Sequence, residues 1–71
     1  MPNIDKLNEV IKESGMTVTA IANKSGINRM TLYNRMNGKG EFTISEVVAL
    51  TRVLHMDTDT RNAIFFANEV V

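Results

Sequence analysis

Residues 17–38 read TVTAIANKSGINRMTLYNRMNG, a stretch that leaves room for two short helices with almost nothing between them. Thr17 is a suitable N-cap for the first. That helix carries Ile21 and Ala22 on one face and stops at Gly26, which can take the left-handed conformation that ends a helix. Only Ile27 separates this glycine from Asn28, a second N-cap, after which Leu32 and Met36 recur four residues apart up to a stop at Gly38. Helices joined this tightly meet at a steep angle, which needs a side chain without bulk at the closest approach. Ala22 meets that need, and Ile27 seals the turn from beneath.

The flanking sequence extends the same pattern. Ile4, Leu7, Val10 and Ile11 fall at the spacing of one helical face, with Asn3 as N-cap, Asp5 at the positive end of the helix dipole and Gly15 as the stop. After the loop NGKGEF, Thr43 and Glu46 form a capping box. Ile44, Val47, Leu50 and Leu54 follow at helical spacing as an inward face. Asp57 or Thr58 then caps a last helix, from which Ile64 and Phe65 reach the core and Phe66 does not. No strand alternation, internal repeat or low-complexity linker is present. The expectation is an all-α fold: a compact bundle of about five short helices forming a single domain over residues 1–71.

At 71 residues, such a bundle has little chain left for catalytic machinery, so a binding module is the natural expectation. Enzymatic chemistry finds no support: no nucleophile, base and orienting acid come together, and Ser14, Ser25 and Ser45 read as cap or turn residues. There is no cysteine, and His55 is the only histidine, so neither a disulfide framework nor a metal site is expected. His55 reads instead as a residue compatible with a helix C-terminus. The run DTDTRN fails as a calcium loop, since Asn62 stands where glycine is required and Asn68 where a bidentate glutamate belongs. GKGE lacks the spacing of a phosphate-binding loop. The opening MPNIDKLNEV lacks a secretory pattern, and no apolar run is long enough to span a bilayer, which leads us to expect a cytoplasmic protein without cofactors.

The formal net charge is zero, but the charge is not evenly spread. Residues 14–40 hold Lys24, Arg29, Arg35 and Lys39 with no acid, a net of +4, whereas residues 1–13 carry a net of −1 and residues 41–71 a net of −3. The basic segment coincides with the tightly joined helix pair, as an electrostatic footprint for nucleic acid would require. Arg35 lies toward the back of its helix, where Glu41 or Glu46 can pair with it.

Over roughly residues 4–66 the chain resembles the helix-turn-helix domains of Cro and phage-repressor type, the lambda-repressor-like fold, with the motif at about 17–37. The resemblance rests on Thr17, Ile21, Ala22, Gly26, Ile27, Leu32, Asn37, Gly38 and Leu54 together. The ending RNAIFFANEVV is similar to small phage-encoded members. The resemblance implies a transcriptional regulator that lays the helix 29–37 in the major groove of double-stranded operator DNA, as a homodimer. Asn28, Arg29, Met30, Thr31 and Asn34 would then face bases, and Thr17, Thr19, Lys24, Tyr33, Asn37 and Lys39 would face the backbone. The chemistry suits these roles: arginine can grip guanine with both arms, asparagine adenine with both edges, and methionine can press on a thymine methyl.

Val18 departs from the pattern, for many members place there a glutamine that clamps a phosphate. With overall neutrality, this keeps a second reading open: an antirepressor or modulator that turns the same surface to a partner phage regulator. Phe66, Val70 and Val71 are candidates for a dimer or partner interface, because IFFANEVV is too apolar to face one small core entirely.

Overall fold

The computed structural model describes residues 2–66, in which five helices and no strands are present: α1 (Ile4–Ser14), α2 (Val18–Ser25), α3 (Arg29–Met36), α4 (Ile44–Val53) and α5 (Thr58–Phe65). The helix starts follow local chemistry. Asn3, Thr17, Asn28, Thr43 and Asp57 each accept a backbone N–H of the helix they begin, and Thr43 and Glu46 complete a reciprocal capping box. Of the two caps considered for α5, Asp57 is the one used.

The first two helices end by one shared device. The hydroxyl of Ser14 donates to Ile11 O at 2.6 Å and accepts from Met16 N at 3.1 Å; Ser25 repeats this with Ala22 O and Ile27 N, both at 3.2 Å. The glycine that follows each serine is left-handed, Gly15 at φ 73° and Gly26 at φ 77°. Each connection therefore satisfies its own polar groups within three residues and needs no longer loop. At the end of α4 the same conformation falls on a residue with a side chain: His55 has φ 53°. Its N–H reaches Arg52 O at 3.2 Å, and the Met56 N–H reaches Thr51 O at 2.9 Å, the paired bonds of a Schellman cap.

Leu7, Ile21, Leu32, Leu50 and Ile64, one from each helix, are fully buried and form the centre of the core. Ala22 is buried among them, where α2 packs against both α3 and α4. Ile27, Val18 and Met36 are half-buried against this cluster. The radius of gyration, 11.1 Å, is that of a well-packed chain of this length.

The expectation that Ile44 points inward is not met, since Ile44 is 84% exposed. As the first residue of α4 it shares the exposed side of the helix with Val48, four residues on, and borders an open groove with Ile4 and Phe65 instead of entering the core. Phe42, just before the cap, covers that end of the core instead, with its ring 5.0 Å from that of Phe65 in an edge-to-face arrangement.

Two outcomes for stability follow from the helix ends. A Cβ at Gly26 would meet nothing within 4 Å, so Gly26→Ala carries only the left-handed backbone penalty, about 1–2 kcal/mol, while His55→Gly relieves part of such a penalty and stabilises by about 0.5–1 kcal/mol. Urea unfolding of the two variants checks both signs. Asp57 gives a pH dependence: its hydrogen bonds from Thr60, side chain and backbone, hold its carboxyl below the ordinary aspartate value. That contribution is complete above the unfolded-state pKa and is lost as pH falls through the lower folded value, so Asp57→Asn should flatten this part of an acid titration of the melting temperature.

Candidate nucleic-acid interface

α2 and α3 begin differently from the other helices. α1, α4 and α5 each carry an acid in the first turn, Asp5, Glu46 and Asp59, whereas α2 and α3 carry none. Their positive dipole ends are therefore not offset by a side chain, a setting that favours an external anion. At α2 the Thr17 hydroxyl accepts from Ala20 N at 3.1 Å and keeps its proton for donation. The N–H groups of Val18 and Thr19 precede the first backbone bond of the helix, Ile21 N to Thr17 O at 3.0 Å.

The start of α3 presents a mixed surface. Asn28, Arg29, Met30 and Tyr33 line one shallow concavity; Met30 is 68% and Tyr33 45% exposed. Asn28 is partly committed to the fold, because its side-chain oxygen accepts from Met30 N at 2.8 Å and Thr31 N at 3.3 Å. Only its NH2 group remains for another partner. Thr31 is half-buried beside a second depression that it shares with the N-terminus of α4, and Asn34 is half-buried farther along α3. Asn37 folds back, its NH2 donating to Tyr33 O at 2.9 Å. Thr17, Thr19, Lys24 and Lys39 are exposed.

Arg35 is withdrawn from this surface. Its Nε lies 3.3 Å from Glu46 Oε1, with both side chains largely buried, and its Nη1 donates to Lys39 O at 3.2 Å. The same Glu46 oxygen accepts from Thr43 N at 3.0 Å, so one carboxylate caps α4 and anchors α3 together. Of the two partners considered from sequence, Glu46 is the one engaged. Gly40 makes the arrangement possible: it is left-handed at φ 76°, and a Cβ there would collide with Arg35 Nη1. Among the described residues, the cations of the basic segment without a hydrogen-bond or ion-pair partner are thus Lys24, Arg29 and Lys39.

Sequence reasoning missed Asn8. Its NH2 donates to Met36 O at 3.3 Å, tying α1 to the end of α3, and its side-chain oxygen is buried without a partner among the described residues. The available signal was a polar residue beside Leu7 on an otherwise apolar face. Of the interface candidates at the C-terminus, Phe66 is 39% exposed, and Val70 and Val71 lie outside the described residues. Among the described residues there is no group of three or more His, Asp or Glu side chains able to hold a metal, and no helix long and apolar enough to cross a membrane.

Two short helices joined by a three-residue turn, with no acid in either first turn and with Lys24, Arg29 and Lys39 along the segment, define a helix-turn-helix DNA-binding module. Residues 7–60 match the Helix-turn-helix (HTH_3) family, and the chain belongs to this Cro/C1-type family of non-enzymatic DNA-binding regulators. No curated protein and no solved structure matches the chain.

The shared role of Glu46 sets a stability order. Glu46→Ala removes the ion pair and the carboxylate half of the capping box, leaving the Thr43 cap, and should cost about 1–2 kcal/mol, whereas Glu46→Gln keeps an acceptor for Thr43 and should cost less. Gly40→Ala should be more damaging in the wild type than in an Arg35→Ala background, where only the left-handed strain of about 1–2 kcal/mol remains. Chemical unfolding of the four chains of that cycle measures the difference.

Proposed function

We propose that the protein is a sequence-specific transcriptional regulator that places α3 in the major groove of operator DNA and acts as a two-fold dimer in the cytoplasm. The observation that carries this reading is the joint absence of acids from the first turns of α2 and α3, with Arg29 exposed at the start of α3 and Lys24 and Lys39 exposed at the end of α2 and beyond the end of α3. A polyanion meets cations and unpaired N–H groups on this face.

Within the interface, Arg29 grips a guanine and Met30 packs on a thymine methyl, both from the exposed first turn of α3. Asn34 reads deeper in the groove, and Thr31 supports it. Asn28 contributes through its NH2 alone, since its oxygen caps the helix. Thr17, Thr19, Lys24, Tyr33 and Lys39 hold phosphates, with Asn37 limited to the amide hydrogen left free by Tyr33 O. The similarity of the C-terminal RNAIFFANEVV to small phage proteins supports a phage or prophage origin.

A second reading is favoured by the apolar character of part of the same face. Val18 packs on the core and offers no side-chain contact to phosphate, while Met30 and Tyr33 stay exposed. A regulator protein docking here in place of DNA would make the chain an antirepressor.

Selection from a random duplex pool, followed by titration of the enriched site at several salt concentrations, separates the two. Operator binding predicts a palindromic motif. Arg29→Ala should then weaken binding by about 1–3 kcal/mol and relax one position of the motif, while Lys39→Ala weakens all sites alike and lowers the salt slope by about 1. Full-strength, fully specific binding by Arg29→Ala would remove α3 as the reader. No enrichment at low salt, with capture of a cognate repressor, would establish the antirepressor reading.

A further inference from the structure

Lys39 stands between Gly38 and Gly40, which are left-handed at φ 78° and 76°. Glycine gives up more conformational freedom on ordering than any other residue, so a lysine between two of them gains no order from its neighbours in sequence. In the fold its main chain is nevertheless held at both ends by α3. The Lys39 N–H donates to Asn34 O at 2.8 Å, and the Lys39 carbonyl accepts from Arg35 Nη1 at 3.2 Å. Its side chain is exposed and has no partner among the described residues.

Arg35 divides its guanidinium between two tasks. Nε pairs with Glu46 Oε1 at 3.3 Å, and because that oxygen also accepts from Thr43 N at 3.0 Å, the pair is anchored to the cap of α4. The other arm, Nη1, goes to the Lys39 carbonyl. An ion pair with Glu46 is complete without that second bond. Gly40 lacks the Cβ that would collide with Nη1, so the loop is shaped to admit the arm. The residue at the opposite end of the clasp is Asn34, whose side chain the operator reading assigns to a base edge. Lys39 is thereby tied to the reader by one bond and to the start of α4 through Arg35 and Glu46.

We propose that Arg35 is a positioning residue for DNA binding: by holding the Lys39 carbonyl it sets the Lys39 ammonium at a phosphate in step with the base contact of Asn34, without itself touching the duplex. The proposal rests on the operator reading and deepens it. Its physical basis is preorganisation. A loop that is already ordered loses less freedom when its cation meets a phosphate, so more of the contact appears as affinity. With the clasp open the lysine keeps its charge, but two glycines let it spread over many positions, and ordering the loop anew offsets the contact. Lys24 has no such requirement, because its main chain belongs to α2.

The test is a double-mutant cycle in DNA binding by the full chain, titrating the duplex enriched from the random pool at several salt concentrations, with circular dichroism to verify that each variant is folded. In the wild type, Lys39→Ala should weaken binding about fivefold and lower the salt slope by about 1. In an Arg35→Ala background the same change should cost less than about twofold and leave the slope unmoved, because the contact is already lost. Lys24→Ala should cost the same in both backgrounds, which separates positioning from the mere loss of the Arg35 charge. Partial unfolding cannot imitate this pattern, since it lowers the active fraction whichever lysine is present. Arg35→Lys keeps the charge but lacks the planar fork that serves two partners, and should silence Lys39→Ala as Arg35→Ala does. Equal costs of Lys39→Ala with and without Arg35 overturn the proposal and leave the operator reading standing, as does a full cost in the Arg35→Lys background or no cost in the wild type. A wild-type chain that enriches no duplex overturns both.

Discussion

The geometry of the molecule depends on ending α2 and starting α3 within three residues. That is possible because each polar group in the turn is answered locally. Ser25 takes the Ala22 carbonyl and gives an acceptor to Ile27, Gly26 turns left-handed without a Cβ penalty, and Asn28 caps the next helix. With so short a connection, the relative direction of the two helices is decided by the turn and not by diffuse packing. Ala22 lets them approach, Ile21 and Leu32 are buried behind them, and the N-terminus of α3 is left projecting. The same serine–glycine device between α1 and α2 shows that the chain uses one local solution twice, and only the second joins the two helices of the helix-turn-helix.

Commitment of side chains then separates structure from function within a single basic segment. Arg35 and Arg29 are both arginines of α3, six residues apart, yet their fates differ. Arg35 is held by Glu46 and the Lys39 carbonyl and fixes the loop that follows it, whereas Arg29 is exposed at the helix start. Glu46 is the hinge of that division, because its one oxygen serves the cap of α4 and the guanidinium of α3. The presentation of Lys39 thus depends on a contact made by a neighbour that does not face the ligand.

The helix starts, the buried stripe and the family were legible in the sequence because they rest on short-range chemistry: a cap side chain that accepts the backbone N–H three residues on, an apolar residue every third or fourth position, a glycine at a stop. The features that were not legible depend on what lies across the fold. Ile44 has the spacing of an inward residue, but it shares the exposed side of α4 with Val48, and no periodicity reports which side of a helix borders an open groove. Glu41 and Glu46 were equal candidates for Arg35 until the loop between them was folded. Asn8 looks like an ordinary surface amide until Met36 O is set against it. His55, the one non-glycine residue in a left-handed backbone among the described residues, was recognised as a helix-end residue without a sign that it would itself form the turn.

On the proposed reading, the neutral charge and Val18 have a common consequence. Val18 contributes apolar packing at a position where a polar side chain would reach for phosphate, and Arg35 is neutralised within the fold. The electrostatic share of binding is left to Lys24, Arg29 and Lys39 and to the free N–H groups of α2. That share is the part of affinity common to every sequence of DNA. A chain that limits it retains little hold on random duplex, and the contacts of Arg29, Met30 and Asn34 with base edges then make up more of what remains. Neutrality in such a protein opposes loose binding more than it opposes recognition. It also places more weight on pairing two reading heads, since few phosphate contacts per copy leave a lone domain weakly held.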